Sequence, residues 1–216
     1  MGVDKMKILI GVPVHRPIEF KVFESFIRLA NLRGKHQYEF TFVHNSLVYD
    51  ARETVVESLL KSNCEALMFI DSDMTFHPQS VELLERHNRD IVTAKAFKRV
   101  EPYQPCFYTK VEMRGTEPHM ESPIGYGEGL LKIQGCGMAC VLIRRKVFEK
   151  MESPYFFPIP KLGEDLAFCL KAQAAGFEIY CDTTLQFGHL GWREVMEADF
   201  MEYYEKHKDS GVPLYE

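Results

Sequence analysis

The feature that most constrains this chain is a strict alternation of apolar strand and amphipathic helix across its first hundred residues. "KILIGVPV" is an apolar, β-branched run, and "IEFKVFESFIRLANLRG" follows with helical apolar spacing and Gly34 as a stop. "YEFTFVH" is a second strand, and "LVYDARETVVESLLKSN" is a helix expected to face the core with Val55, Val56, Leu59 and Leu60. "EALMFI" is a third strand, "PQSVELLERHN" a helix opened by proline, and "DIVTAKAF" a fourth strand. Such alternation calls for a parallel α/β sheet covered on both faces. The 216 residues, 46% of them hydrophobic, suffice for a single domain over residues 1–216.

The rhythm breaks after residue 100. Residues 101–129 are rich in Pro, Gly and Glu and read as a small β-hairpin or flexible loop. "LLKIQGCGMACVLIRRKVFEKM" gives a strand-turn-strand-helix pattern, and "GEDLAFCLKAQAAGFEIYCD" a helix closed by Gly176 and then a strand. A last polar helix, "EVMEADFMEYYEKHKD", is expected to pack through Met196, Phe200 and Tyr203.

Composition narrows the partners. The formal charge of −5 comes from interspersed acids and bases, so no polycationic face advertises nucleic acid or an anionic membrane. Any anionic ligand is then held locally, by a few basic groups or a metal ion. No apolar run reaches the roughly 20 residues of a transmembrane segment. The start "MGVDKMKILIGVPV" carries neither a signal-peptide block nor a complete myristoylation motif, and a cytoplasmic protein is expected. Cys64, Cys106, Cys136, Cys140, Cys169 and Cys181 read as reduced core thiols. The CxxxC of "GCGMAC" lacks the second ligand pair that zinc needs.

In parallel sheets, ligands gather at the carboxyl ends of strands. Three stretches lie there: Pro13-Val14-His15, Asp71-Ser72-Asp73, and Lys95. Asp71 leaves a buried strand, so its charge needs a partner. A hard cation, Mn²⁺ or Mg²⁺, suits such oxygens and can bridge phosphates, although a D-x-D pair can equally be two acids capping a loop. Glu164 and Asp165 begin a helix, where the dipole favours acids, and either could also serve as a general base. His189 lies in "QFGHLGW", where flanking glycines free the backbone to bring an imidazole to a metal; a lone histidine is more often structural.

Taken in order, these stretches resemble the glycosyltransferases of the GT-A fold, family 2-like. "ILIGVPVHR" is similar to the opening strand and nucleotide loop, and "DARETVVESLLKSNCEALMFIDSDM" to the helix with Ala-Arg-Asn before the D-x-D strand. "GCGMACVLIRRKVFEKM" resembles the turn, strand and helix that frame the donor and acceptor sites, and "GEDLAFCLKAQAAGFEIYCD" the Glu-Asp helix. The match covers about residues 6–192.

The resemblance implies a mostly parallel, three-layer α/β/α sandwich. Its nucleotide-binding half would be residues 1–100, its acceptor and catalytic half 101–192, and a C-terminal helix and tail 193–216. It implies a nucleoside-diphosphate sugar donor, with UDP or GDP favoured, held by Pro13, His15, Arg52, Asp71, Ser72, Asp73 and Lys95. Asp73 would bind the Mn²⁺ or Mg²⁺ with His189 and Asp71, and Asp165 would be the catalytic base with Glu164 orienting the acceptor. Gly135, Cys136, Gly137 and Trp192 would line the acceptor and donor-sugar pocket. A homo-oligomer is compatible with all of this. Glu53 departs from the family's Asn, and the Gln-x-x-Arg-Trp motif of processive synthases is absent. Non-processive transfer of one sugar, with inversion, is therefore expected, and the long segment 98–129 is expected to act as a lid or acceptor loop.

Three readings compete. "FIDSDMT" also fits the nucleophile motif of haloacid dehalogenase-type phosphatases, with Asp71 attacking phosphorus, but that motif belongs on a first strand and "GEDLAFC" puts Cys169 where a second acid is required. A nucleotidyltransferase would want a glycine-rich loop that "GVPVHRP" lacks. A non-catalytic nucleotide-sugar-binding module would have little use for Asp73, Asp165 and His189 together.

Overall fold

The computed structural model describes residues 5–44, 46–191 and 194–209. β1 (Lys7–Val14) leads through α1 (Phe20–Ala30) to β2 (Gln37–His44), and α2 (Val48–Lys61) leads to β3 (Ala66–Ile70). A two-residue strand, β4 (Met74–Thr75), precedes α3 (Ser80–Arg86) and β5 (Ile91–Lys95). The alternation read from the sequence is thus present, element by element. Then come β6 (Phe107–Tyr108), β7 (Lys110–Arg114), β8 (Glu117–Glu121), β9 (Leu130–Ile133), β10 (Gly135–Cys136) and β11 (Cys140–Arg144). The chain continues with α4 (Arg145–Lys150), α5 (Glu164–Ala174), β12 (Ile179–Gln186), β13 (Gly188–Leu190), β14 (Glu194–Val195) and α6 (Glu197–His207).

The central sheet is mixed, with seven strands in the order β2-β1-β3-β11-β5-β12-β9. β1 pairs parallel with β2 and β3, and β12 pairs parallel with β5. A purely parallel set would seat β5 directly beside β3. Instead β11 lies between them, antiparallel to both. Its composition suits an interior position: Cys140, Val141, Leu142 and Ile143 are all buried, so this strand needs cover on both faces. Strands from before and after residue 100 therefore share one sheet.

Successive residues of β3 serve opposite cores, as a period of two requires. Leu67 and Phe69 pack with Val55, Val56 and Leu59 of α2, Phe148 of α4 and Phe168 of α5. Ala66, Met68 and Ile70 pack with Val22, Phe26 and Leu29 of α1 and Val81 and Leu84 of α3. Leu60, expected in the core, is only partly buried beside it.

The segment after residue 100 does contain a hairpin, β7 against β8, turned at Gly115 with φ of +65°. In α6 the expected packing by Met196 fails. Met196 precedes the helix and is 38% exposed, while Phe200 is buried against Phe97. All six cysteines are unpaired, and five are buried. Among the described residues no helix is long and apolar enough to cross a membrane.

Candidate active site

The sheet's carboxyl edge collects the predicted acids, and α2 supplies the cation that organises the first of them. Asp71 continues the face of β3 that carries Phe69, the face covered by α2. Arg52, buried on α2, lies over the Phe69 ring at 5.4 Å and reaches Asp71 with Nη2, at 3.1 Å from Oδ1 and 3.4 Å from Oδ2. Its Nε donates to Oε1 of Glu164 at 3.3 Å, and Nη1 to the Met138 carbonyl at 3.5 Å. Burial opposes this guanidinium's charge, but Asp71, Glu164 and Asp165 more than compensate and raise its pKa. One arginine thereby ties the strand-end acid Asp71 to Glu164 at the start of α5, which lies 112 positions from Arg52 in sequence.

Asp165 is beside this pair with a different electrostatic character. Burial and the neighbouring Glu164 charge push its carboxyl up to about 6, while the Leu166 N–H, 2.7 Å from Oδ1, and Arg52 pull the other way. Gly137 faces it: a Cβ at that position would lie 3.6 Å from Oδ2. A carboxyl poised near 6 is basic enough to accept a proton at neutral pH.

Asp73 has its own surroundings. Its side chain is buried, and Oδ2 accepts from Arg99 Nη1 at 2.9 Å and from Arg16 Nη2 at 3.4 Å. Arg16 also donates to the Leu190 carbonyl at 3.1 Å. Burial would raise this carboxyl, yet His189, Arg99 and Arg16 hold it below the usual carboxylate range. His189 arrives because β13 pairs antiparallel with β4, opposing His189 to Met74 and Gly188 to Thr75. Gly188 leaves room there: a Cβ would collide with the Glu194 carboxylate and the Thr75 hydroxyl, so both side chains would have to shift. The Phe97 carbonyl can only accept, so His189 donates from Nδ1 at 2.7 Å and points Nε2 at Asp73 Oδ1, 3.6 Å away.

The expected divalent ion can be tested against these positions. Of the three intended ligands Asp73 and His189 approach each other at 3.6 Å, but Asp71 is engaged by Arg52 and Asp73 is held by two guanidiniums. Among the described residues no group of three or more His, Cys, Asp or Glu side chains is placed to hold a metal. The residues as arranged do not fit Mn²⁺ or Mg²⁺.

Other expected site residues are placed elsewhere. The ammonium of Lys95 is bound by Glu197, at the start of α6, which also accepts from Tyr126 Oη at 2.7 Å. Its pairing joins the end of β5 to the start of α6. Pro13 is buried within β1, opposite Val43. His15 is exposed beside the site. Ser72 is buried, and its hydroxyl has no hydrogen-bond partner among the described residues. Gly135 and Cys136 do not line a pocket: a Cβ on Gly135 would meet Leu166 and Val111 at 2.8 Å, and Cys136 packs on Cys169 in the core. Trp192 lies outside the described residues.

Glu53, the departure from the family's Asn, accepts from the Phe156 N–H and so anchors the segment that leads to α5. The sequence reading missed Arg16 and Arg99. The only cue was position, one residue past "PVH" and a few past β5, at the ends of strands already expected to carry the site.

By sequence, the chain matches no protein family and no curated protein. Among solved structures it is similar to A197 from STIV, with a TM-score of 0.61 over 86% of each chain at 20% identity. At that identity the likeness speaks for the fold alone.

Proposed function

We propose that this chain transfers a sugar from a nucleoside-diphosphate sugar to an acceptor hydroxyl, within a GT-A-like three-layer sandwich. The observation that carries the reading is the Arg52 bridge from Asp71 to Glu164, which brings Asp165, with its carboxyl near 6, to the same edge of the sheet as the D-x-D acids. In the proposed step Asp165 takes the acceptor's proton as its oxygen forms the new bond to the anomeric carbon. The bond from that carbon to the diphosphate oxygen breaks, and the diphosphate leaves with the electron pair. In-line attack of this kind inverts the anomeric centre. Charge developing on the leaving group has to be met by preorganised donors.

The phosphatase reading gains nothing from the geometry. A nucleophilic Asp71 would have to leave Arg52, and Asp73 is held as an anion by its arginines when that role asks it to donate a proton.

The test pairs a thermal-shift screen of UDP-, GDP-, CMP- and dTDP-sugars with a transfer assay on the donor that binds. Asp165→Asn is expected to keep donor affinity and to lose about 100-fold or more in transfer rate. Equal loss of binding would move Asp165 into the donor pocket, and silence across the panel would favour a protein that does not use nucleotide sugars.

A further inference from the structure

Three strand ends converge on one oxygen. Arg16 follows β1, Arg99 follows β5, and Oδ2 of Asp73, beyond β3, accepts from both. The carboxylate is 5% exposed, whereas the Arg16 and Arg99 side chains are 41% and 36% exposed. A buried anion thus holds two cations with their outer edges toward solvent. The three charges sum to a net positive one, and each guanidinium has five N–H donors, more than the contacts to Asp73 and Leu190 engage. Arg52, in contrast, is 4% exposed, and all three of its nitrogens are engaged, by Asp71, Glu164 and the Met138 carbonyl. Two like charges gathered at one acceptor repel each other, and a second anion bridging their outer edges relieves that repulsion. Guanidinium forks match phosphate oxygens bidentately.

We infer that Arg16 and Arg99, gathered by Asp73, form a binding site for a diphosphate that needs no divalent cation. The ligand class rests on the donor reading above. In that reaction the pair binds the donor's diphosphate and meets the charge that develops on it as the glycosidic oxygen departs. Asp73 is a positioning residue here: it places the guanidiniums and does not itself touch the ligand.

The experiment is calorimetric titration of the full chain with inorganic pyrophosphate and, separately, with UDP and GDP, each in EDTA and in Mn²⁺. Pyrophosphate is expected to bind in EDTA, more weakly as salt rises, and Mn²⁺ is expected to add little. Arg16→Ala with Arg99→Ala should weaken binding by about tenfold or more, and Arg33→Ala, an exposed arginine outside this cluster, should leave it unchanged. If the double variant does not give a native thermal melt, Arg16→Gln and Arg99→Gln are measured singly, each expected to weaken binding. Binding that appears only with Mn²⁺, no pyrophosphate binding at all, or full affinity in the arginine variants would overturn the inference. Nucleotide binding without pyrophosphate binding would retain the donor reading and remove the guanidinium site. Pyrophosphate binding with no nucleotide bound would do the reverse.

Discussion

Asp71 and Asp73 stand one residue apart at the end of a buried strand, yet they belong to two different electrostatic regions. Asp71 joins a closed network in which one buried arginine serves two acids from distant elements. Asp73 anchors an open cluster in which one buried acid serves two half-exposed arginines. The inversion follows from the pleat and the loops. Asp71 continues the α2 face of β3, where Arg52 is within reach, while Asp73 lies beyond the strand, where the loops after β1 and β5 and strand β13 approach. The difference teaches that a D-x-D pair is not one unit. Its first acid joins the strand end to an arginine of α2, and its second gathers two guanidiniums from other loops.

The largest expected effect breaks the closed region. Arg52→Ala leaves Asp71 and Glu164 without their shared cation and should destabilise the fold by about 3 to 5 kcal/mol in denaturant unfolding. A loss as small as an exposed pair's would show that the network is not closed. Next comes Gly188→Ala, which displaces the Glu194 and Thr75 side chains beside β13 and should cost about 1 to 3 kcal/mol while shifting the His189 ring resonances.

Titration separates the two regions by sign. The Asp165 carboxyl is raised to about 6, so the folded state binds its proton first, and this contribution to stability is lost as pH rises from the unfolded value near 3.8 through about 6. Asp165→Asn should remove that loss and gain about 1 to 3 kcal/mol at pH 7.5, discounted for its partial exposure. The Asp73 carboxyl is lowered, so its contribution is present above the unfolded value and is lost as pH falls through its folded pKa. Thermal melts from pH 8 to pH 3 should therefore show stability first rising, then falling, with only the rise absent in Asp165→Asn. A proton-abstracting Asp165 also predicts a transfer rate that climbs through pH 6 and then levels.

The smallest effect tests the open region. Arg16→Ala removes a half-exposed pairing and should change stability by less than about 1 kcal/mol, even though the same substitution weakens anion binding. A loss comparable to that of Arg52→Ala would erase the distinction between the regions.

Much of the framework was legible because local periodicity carries it. The apolar runs of β1, β3 and β5 and the helical spacing of α1 and α2 are short-range patterns that burial rewards directly. Asp71, Glu164, Asp165 and His189 were legible as candidates because each follows or precedes such a pattern, whereas Arg52, inside α2, was named only through the resemblance of its helix to the family's Ala-Arg-Asn motif. The insertion of β11 between β3 and β5 was not, since an apolar strand's sequence shows that it is buried and says nothing of its neighbours. Lys95 was misplaced for a related reason: a lysine at a strand end has the reach to find any acid nearby, and here Glu197 of a helix 102 positions away takes it. Gly135 and Cys136 looked like a pocket's small-residue turn, but the space beside Gly135 is filled by Leu166 and Val111.

By itself the sequence determined the alternating α/β framework, the faces its strands and helices bury, and the acids that end up at the sheet's carboxyl edge. These depend on contacts between near neighbours and on the partition of apolar side chains from water. Tertiary structure alone decided which cation meets which acid. Arg52, Arg16 and Arg99 lie on separate segments, and a carboxylate's charge is stabilised by whichever guanidinium the fold brings within about 3 Å. That distance is a property of the packed sheet, and it is what makes Asp71 a junction and Asp73 a platform for two arginines.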